Sequence, residues 1–120
     1  MIEISTLNSA AQPRIRATYC SSFFCKFKGL MFKRCLPENE GILLVEKKES
    51  IIDTSIHMFF MFFDIATIWI NAENIVVDVQ LAKKWHPFYA SKKPAQYVLE
   101  CHSSQLSKFK IGDQVSIKHV

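Results

Sequence analysis

Glycine is scarce, three in 120 residues, and that shortage removes several functions at once. A phosphate cradled by backbone amides needs a glycine-rich loop. Gly29, Gly41 and Gly112 stand too far apart to write a P-loop or a dinucleotide fingerprint. A nucleophile elbow and a zinc-protease helix motif are missing as well. The cysteines Cys20, Cys25, Cys35 and Cys101 contain no C-x-x-C pair, the close spacing that zinc ribbons and thioredoxin-like sites require. Cys101 and His102 offer no metal site in its place, because neighbours on a strand point to opposite faces. No cofactor and no metal are expected.

Charge of one sign is also in short supply. Fifteen Lys and Arg against eleven Asp and Glu leave a net charge of +4, which aids solubility but falls short of a nucleic-acid-binding stripe. The densest basic group, Lys26, Lys28, Lys33 and Arg34, is interleaved with Phe27 and Phe32. It reads as a solvated basic face, and RNA binding through it is the weakest functional reading. A secretory leader is not recognisable, since Met1 to Gln12 is polar and has no apolar segment. A cytoplasmic protein with reduced cysteines is the resulting expectation. The stretch 51–70 has the length to cross a bilayer, yet Asp53, His57 and Asp64 interrupt it. A central Asp alone costs about 2.5–3.5 kcal/mol on insertion scales, so buried sheet is expected there and no membrane span.

What is present is the material of a core. At 49% hydrophobic and 22% charged residues, the chain has the composition of one globular domain. Ile15, Ala17 and Tyr19 alternate with Arg14, Arg16 and Thr18, the period of a half-buried strand. Ser21 or Ser22 is placed to cap a short helix ending at Gly29. Further strands are expected at 42–46, 55–63, 65–70, 75–81, 95–101 and 114–118. Asn71 to Asn74 would form a hairpin turn, and Gly112 with Asp113 another. Residues 1–13 read as an N-terminal arm, and 14–119 as a mainly β domain. Seven or so short strands with one short helix suggest a β-sandwich or jelly-roll-like barrel.

Five segments, in order, carry a resemblance: Lys28 to Phe32, Gly41 to Glu46, Ser55 to Phe63, Ala95 to Glu100, and Ile111 to Val115. Together they resemble domain-of-unknown-function family 192. In that family a Gly-Leu-Met-Phe motif, a Gly-led apolar strand, a His and Met/Phe-rich strand, an Ala-x-x-Val-Leu-Glu strand and a final Gly-Asp turn recur. The resemblance covers roughly residues 14 to 119. It implies a compact β-sandwich-like domain with a small helical insertion and no established biochemical activity. Many relatives look exported or lipid-anchored. Relatives also commonly place a basic residue and then Pro-x-Asp after the central strand's Met, where this chain has Phe62, Asp64 and Ala66.

The side chains with chemistry to offer are few. His57 has the right type for a general base, but an unbroken strand would point it away from Asp64. A hydrogen-bonded structural histidine is the simpler reading. Trp85, His86, Phe88 and Tyr89 form an aromatic loop flanked by lysines, suited to cover one end of the fold or to meet a ligand or partner. The leading expectation is an accessory binding module that takes a small molecule or a protein partner through His57, Met61, Asp64, Trp85, His86 and Tyr89. The alternative is a small hydrolase-like enzyme using His57 with Asp64 or a cysteine.

Overall fold

Alternation of side chains sets most of the strands. The computed structural model describes residues 1–7 and 14–119. In β2, Arg14–Cys20, Ile15 and Ala17 are sealed while Arg14, Arg16 and Thr18 face solvent. The other strands are β1 Ile2–Thr6, β3 Glu40–Ser50, β4 Ile65–Ile70, β5 Val76–Ala82, β6 Ala95–His102 and β7 Val115–His119. Helix α1 spans Phe23–Lys28, and a 3₁₀ helix spans Ser103–Lys108. Ser22 caps α1 by accepting from the Cys25 amide at 3.2 Å, and Gly29 ends it at φ +49° with its N–H on the Cys25 carbonyl. Only glycine adopts such a backbone without strain.

The strands form one seven-stranded sheet in the order β5-β4-β6-β3-β2-β1-β7. Every neighbouring pair is antiparallel except β2 with β3, which run parallel through the α1 crossover. The sheet curls until its edges meet. Ile75 bridges Gln114, and the amides of Val76 and Val115 donate to the carbonyls of Asp113 and Asn74 at 2.9 and 2.8 Å. The mainly β, single-domain expectation holds, in the form of one barrel-like sheet rather than two stacked ones. Closure of this kind leaves little unpaired edge for another chain to add to.

Two apolar layers result. Inside the curl lie Ile2, Ile4, Ile15, Leu43, Ala66, Ile68, Ile70 and Leu99. On the outer face of β3, β4 and β6, Ile42, Leu44, Ile65, Trp69 and Val98 meet Leu30, Leu36, Ile56, Met58 and Met61. Those last five belong to a cap built from the segments on either side of β3. Strand β4 is therefore buried on both faces along its whole length, which its nearly unbroken apolar sequence already suggested. The Trp69 indole N–H donates to the Thr54 carbonyl at 2.8 Å and ties the cap to the sheet.

Three expectations are corrected. The segment assigned to an N-terminal arm contributes β1, whose Ile2 and Ile4 are fully buried between β2 and β7. Residues 55–63 are not a strand. Only Ile56 is bridged, to Tyr89, and Phe60 turns the chain at φ +61°. Strand-forming residues there serve as cap contacts, and tertiary packing overrides propensity. The cysteines are not all reduced, because Cys20 at the end of β2 is disulfide-bonded to Cys25 on α1, their Cα atoms 5.7 Å apart. The turn into α1 folds back over the strand end and brings the two sulfurs together. Among the described residues no helix is long and apolar enough to cross a membrane.

Candidate functional site

Where the cap meets the sheet it leaves a cavity of about 70 Å³. Its floor is the outer face of β3 and β6, through Leu44, Glu46, Val98 and Glu100. Its roof is α1 with Gly29, Leu30 and Met31, and its far wall is 53–57 with Met61. Alternation along β6 explains the floor: Leu99 and Cys101 fill the curl, so Val98 and Glu100 must face the cap. Glu100 is only 5% exposed. A Cβ on Gly29 would come within 3.4 Å of the Glu100 Oε1 atom, so the glycine lets the roof lie directly over the carboxyl.

This carboxyl is chemically isolated. Burial raises its pKa from 4.5 to about 7, because a charge removed from water without a partner is disfavoured. No donor among the described residues is hydrogen-bonded to it. Thr67, its register partner on β4, is fully buried and its hydroxyl also lacks a partner. Nearby, the Lys26 ammonium is committed to Glu46 Oε2 at 2.6 Å and to the Val45 carbonyl at 3.3 Å. The Cys101 thiol, on the opposite face of β6, is pushed up by burial and secondly by the Glu100 charge, and stays protonated.

Of the side chains singled out from sequence, His57 and Met61 line this cavity. Both imidazole nitrogens of His57 are occupied: Nδ1 accepts from the Phe59 amide at 3.2 Å, and Nε2 lies 3.3 Å from the Phe27 carbonyl, as in the Nε2-protonated tautomer. Asp64 is elsewhere. It accepts from the Lys84 amide at 2.9 Å and borders a second, open hollow with Cys35 and His102. No hydrogen bond joins Cys35, Asp64 and His102, and His102 is turned to Ser104. A His57–Asp64 pairing is thus not formed, and among the described residues no three His, Cys, Asp or Glu side chains gather as a metal site.

The aromatic loop divides between two tasks. Tyr89 pairs with Ile56, accepts from the Lys83 amide at 2.9 Å and packs on His86 at 5.0 Å, closing the fold. Trp85 instead stands 48% exposed, edge-on to Phe60 at 5.2 Å. It belongs to an outward aromatic cluster in which Phe60 stacks on Phe32, and a second cluster has Phe27 in contact with both Phe23 and His57. Aliphatic residues fill the interior of this protein, and most phenylalanines stand outside.

Sequence reasoning missed Glu100 as a site residue. Its strand motif was noticed, but a Glu on alternate positions reads as solvent-facing, and only the distant cap buries it.

Relatives and solved structures agree with this architecture. A UPF0127 protein of Thermococcus kodakarensis is 42% identical over 79 residues, 66% of this chain and 48% of its own length. One from Pyrococcus furiosus is 34% identical over 87 residues, 72% of each chain. The chain spans about half the length of the Thermococcus kodakarensis relative. A Novosphingobium aromaticivorans protein of unknown function superposes with a TM-score of 0.87 at 18% identity, over 95% of this chain and 83% of that one. A Sinorhizobium meliloti protein named as a candidate transcription regulator gives 0.86 at 16% identity, over 98% and 94%. At such identities the likeness is one of fold. Residues 5–118 match the model of the family described as DUF192, Uncharacterized ACR, and the chain belongs to that family of unknown function.

Proposed function

We propose that the domain is a small-molecule-binding module without catalytic machinery, its site being the cavity beneath Gly29 that ends on Glu100. The observation that carries this reading is a carboxyl only 5% exposed, hydrogen-bonded to no donor among the described residues, that opens onto a space large enough for several non-hydrogen atoms. Folded proteins rarely leave such groups unpaired, and exceptions gather at functional sites. Gly29, Leu30 and Met31 from one of the five family-like segments and Val98 and Glu100 from another converge on this space. His57 and Met61 act as lining, and Trp85, His86, Tyr89 and Asp64 lie outside it.

Ligand-observed NMR with a library of small polar fragments tests the reading. Hits should move the amide signals of Gly29, Leu30 and Val98, and should vanish in Leu44→Phe, whose ring fills the cavity, once its dispersed amide spectrum shows that the variant folds. Hits scattered over the surface, or unaffected by Leu44→Phe, would overturn it.

The exposed aromatic surface favours a second reading, docking of a protein with an apolar, acid-flanked face. A photo-crosslinker at Phe60 should then capture the same protein from the native cell as one at Phe32, and not one at Lys118. Equal capture from all three positions removes this reading. The Cys20–Cys25 bond bears on where the module works. Disulfides persist in oxidising compartments, so it is proposed to act there rather than in a reducing cytoplasm.

A further inference from the structure

We propose that the Glu100 cavity takes a compact organic cation, a primary ammonium or amidinium group on a short apolar body, with the charged group against Glu100 and the body among Leu30, Leu44, Met61 and Val98. This rests on the small-molecule reading above and names the ligand's chemistry.

Charge is the first argument. The groups with titratable side chains around the cavity are Lys26 and Lys28 from α1, Glu46 from β3, Asp53 and His57 from the far wall, and Glu100 from β6. Three carboxyls face two ammonium groups, and one of these, Lys26, is already paired with Glu46. Lys28 is exposed at the end of α1 and makes no hydrogen bond to Glu100 among the described residues. His57 has both ring nitrogens engaged by backbone groups. Among the described residues, none supplies the countercharge that an ionised, buried Glu100 requires. A bound ammonium supplies it and restores the hydrogen bonds that burial removed.

Size and lining are the second argument. A cavity of about 70 Å³ is about half the space that holds a benzene molecule in an apolar protein interior. It admits several non-hydrogen atoms, far fewer than a nucleotide or a sugar. The apolar wall of Leu30, Leu44, Met61 and Val98 selects a branched or straight hydrocarbon body. An anionic ligand would meet Glu100 head-on and is rejected.

The test uses three ligands of one shape, isobutylammonium, isobutanol and isobutyrate, titrated into the intact, disulfide-bonded chain at about pH 8, where Glu100, with a pKa of about 7, is mostly ionised. Amide shifts at Gly29, Leu30 and Val98 give each dissociation constant. Isobutylammonium should bind at least about tenfold more tightly than isobutanol, the discrimination expected of a charged hydrogen bond. Isobutyrate should not bind. In Glu100→Gln the ammonium should lose that advantage while isobutanol keeps its affinity. The wild-type preference should also fade as the pH falls below the titration of Glu100. If isobutanol and isobutylammonium bind equally, or if Glu100→Gln keeps the preference, the cation assignment fails while the cavity reading stands. If none of the three moves these amides, both fall.

Discussion

Replacing Glu100 with Gln should make the protein more stable, and the gain should depend on pH in a way that only a buried, unpaired acid produces. Below pH 4.5 the carboxyl holds its proton in the folded and unfolded states alike. Between 4.5 and about 7 the folded protein still holds a proton that the unfolded chain has released, so stability falls as pH rises, and above about 7 the loss is complete. A rise from 4.5 to about 7 corresponds to about 3 kcal/mol at roughly 1.4 kcal/mol per pH unit. Glutamine keeps the shape and cannot ionise. Its unpartnered amide costs about what the unpartnered protonated carboxyl costs. The two proteins should therefore match near pH 4.5 and diverge until the variant is about 3 kcal/mol more stable by about pH 8, roughly 10 °C in Tm for a chain of this size. Urea denaturation of both proteins across this range, without reductant, measures the difference directly. All other titrating groups are shared, so they cancel. Parallel curves, separated by less than about 0.5 kcal/mol throughout, would show that Glu100 is hydrated and that the reasoning built on its isolation is wrong.

Three other outcomes are expected. Under non-reducing conditions, alkylation should label Cys35 at once, leave Cys20 and Cys25 unlabelled, and reach Cys101 only on unfolding. Reduction should cost about 2 kcal/mol, the chain-entropy value for so short a loop, and immediate labelling of Cys20 would refute the bond. Gly41→Ala would place a Cβ 2.5 Å from the Glu100 carbonyl, so chemical denaturation should find a loss of about 3 kcal/mol from overpacking between β3 and β6. Trp69→Phe should cost about 1–3 kcal/mol by orphaning the Thr54 carbonyl, and in that variant iodide should quench nearly all remaining indole fluorescence, which comes from the exposed Trp85.

How far the sequence could be read depended on whether the deciding contacts were local. Ser22 and Gly29 cap α1 as expected, and Asn71 makes the expected turn by accepting from the Glu73 and Ile75 amides at 3.0 Å. Those devices act within a few residues. The strand at Ile2 to Thr6 carries the right alternation, but Glu3 and Ser5 within it give the segment a polar character that reads as an arm. At 55–63 the residue types favoured a strand, whereas the burial of Ile56, Met58 and Met61 on a distant sheet decided otherwise. The same non-locality hid the site. His57 and Met61 were legible by type, but Glu100 becomes a site residue only when the cap, more than forty positions away along the chain for Thr54 and Ile56, closes over it. The cysteine pairing depends on the turn that folds α1 back over the end of β2, and neither the spacing of Cys20 and Cys25 nor the composition discloses that turn.

The position of β1 between β2 and β7 sets the order in which the molecule can be completed. Ile2 pairs with Ala17 on one side and with His119 on the other. During synthesis β1 emerges more than a hundred residues before its neighbour β7, and the curl cannot close until β7 is free. Pairings of that sequence span carry a large loop-closure cost before they return any stability. Folding should accordingly be slow and all-or-none. A nascent chain lacking β7 leaves the flank of β1 open, and that stage is where chaperone engagement or misassociation of the growing polypeptide would concentrate.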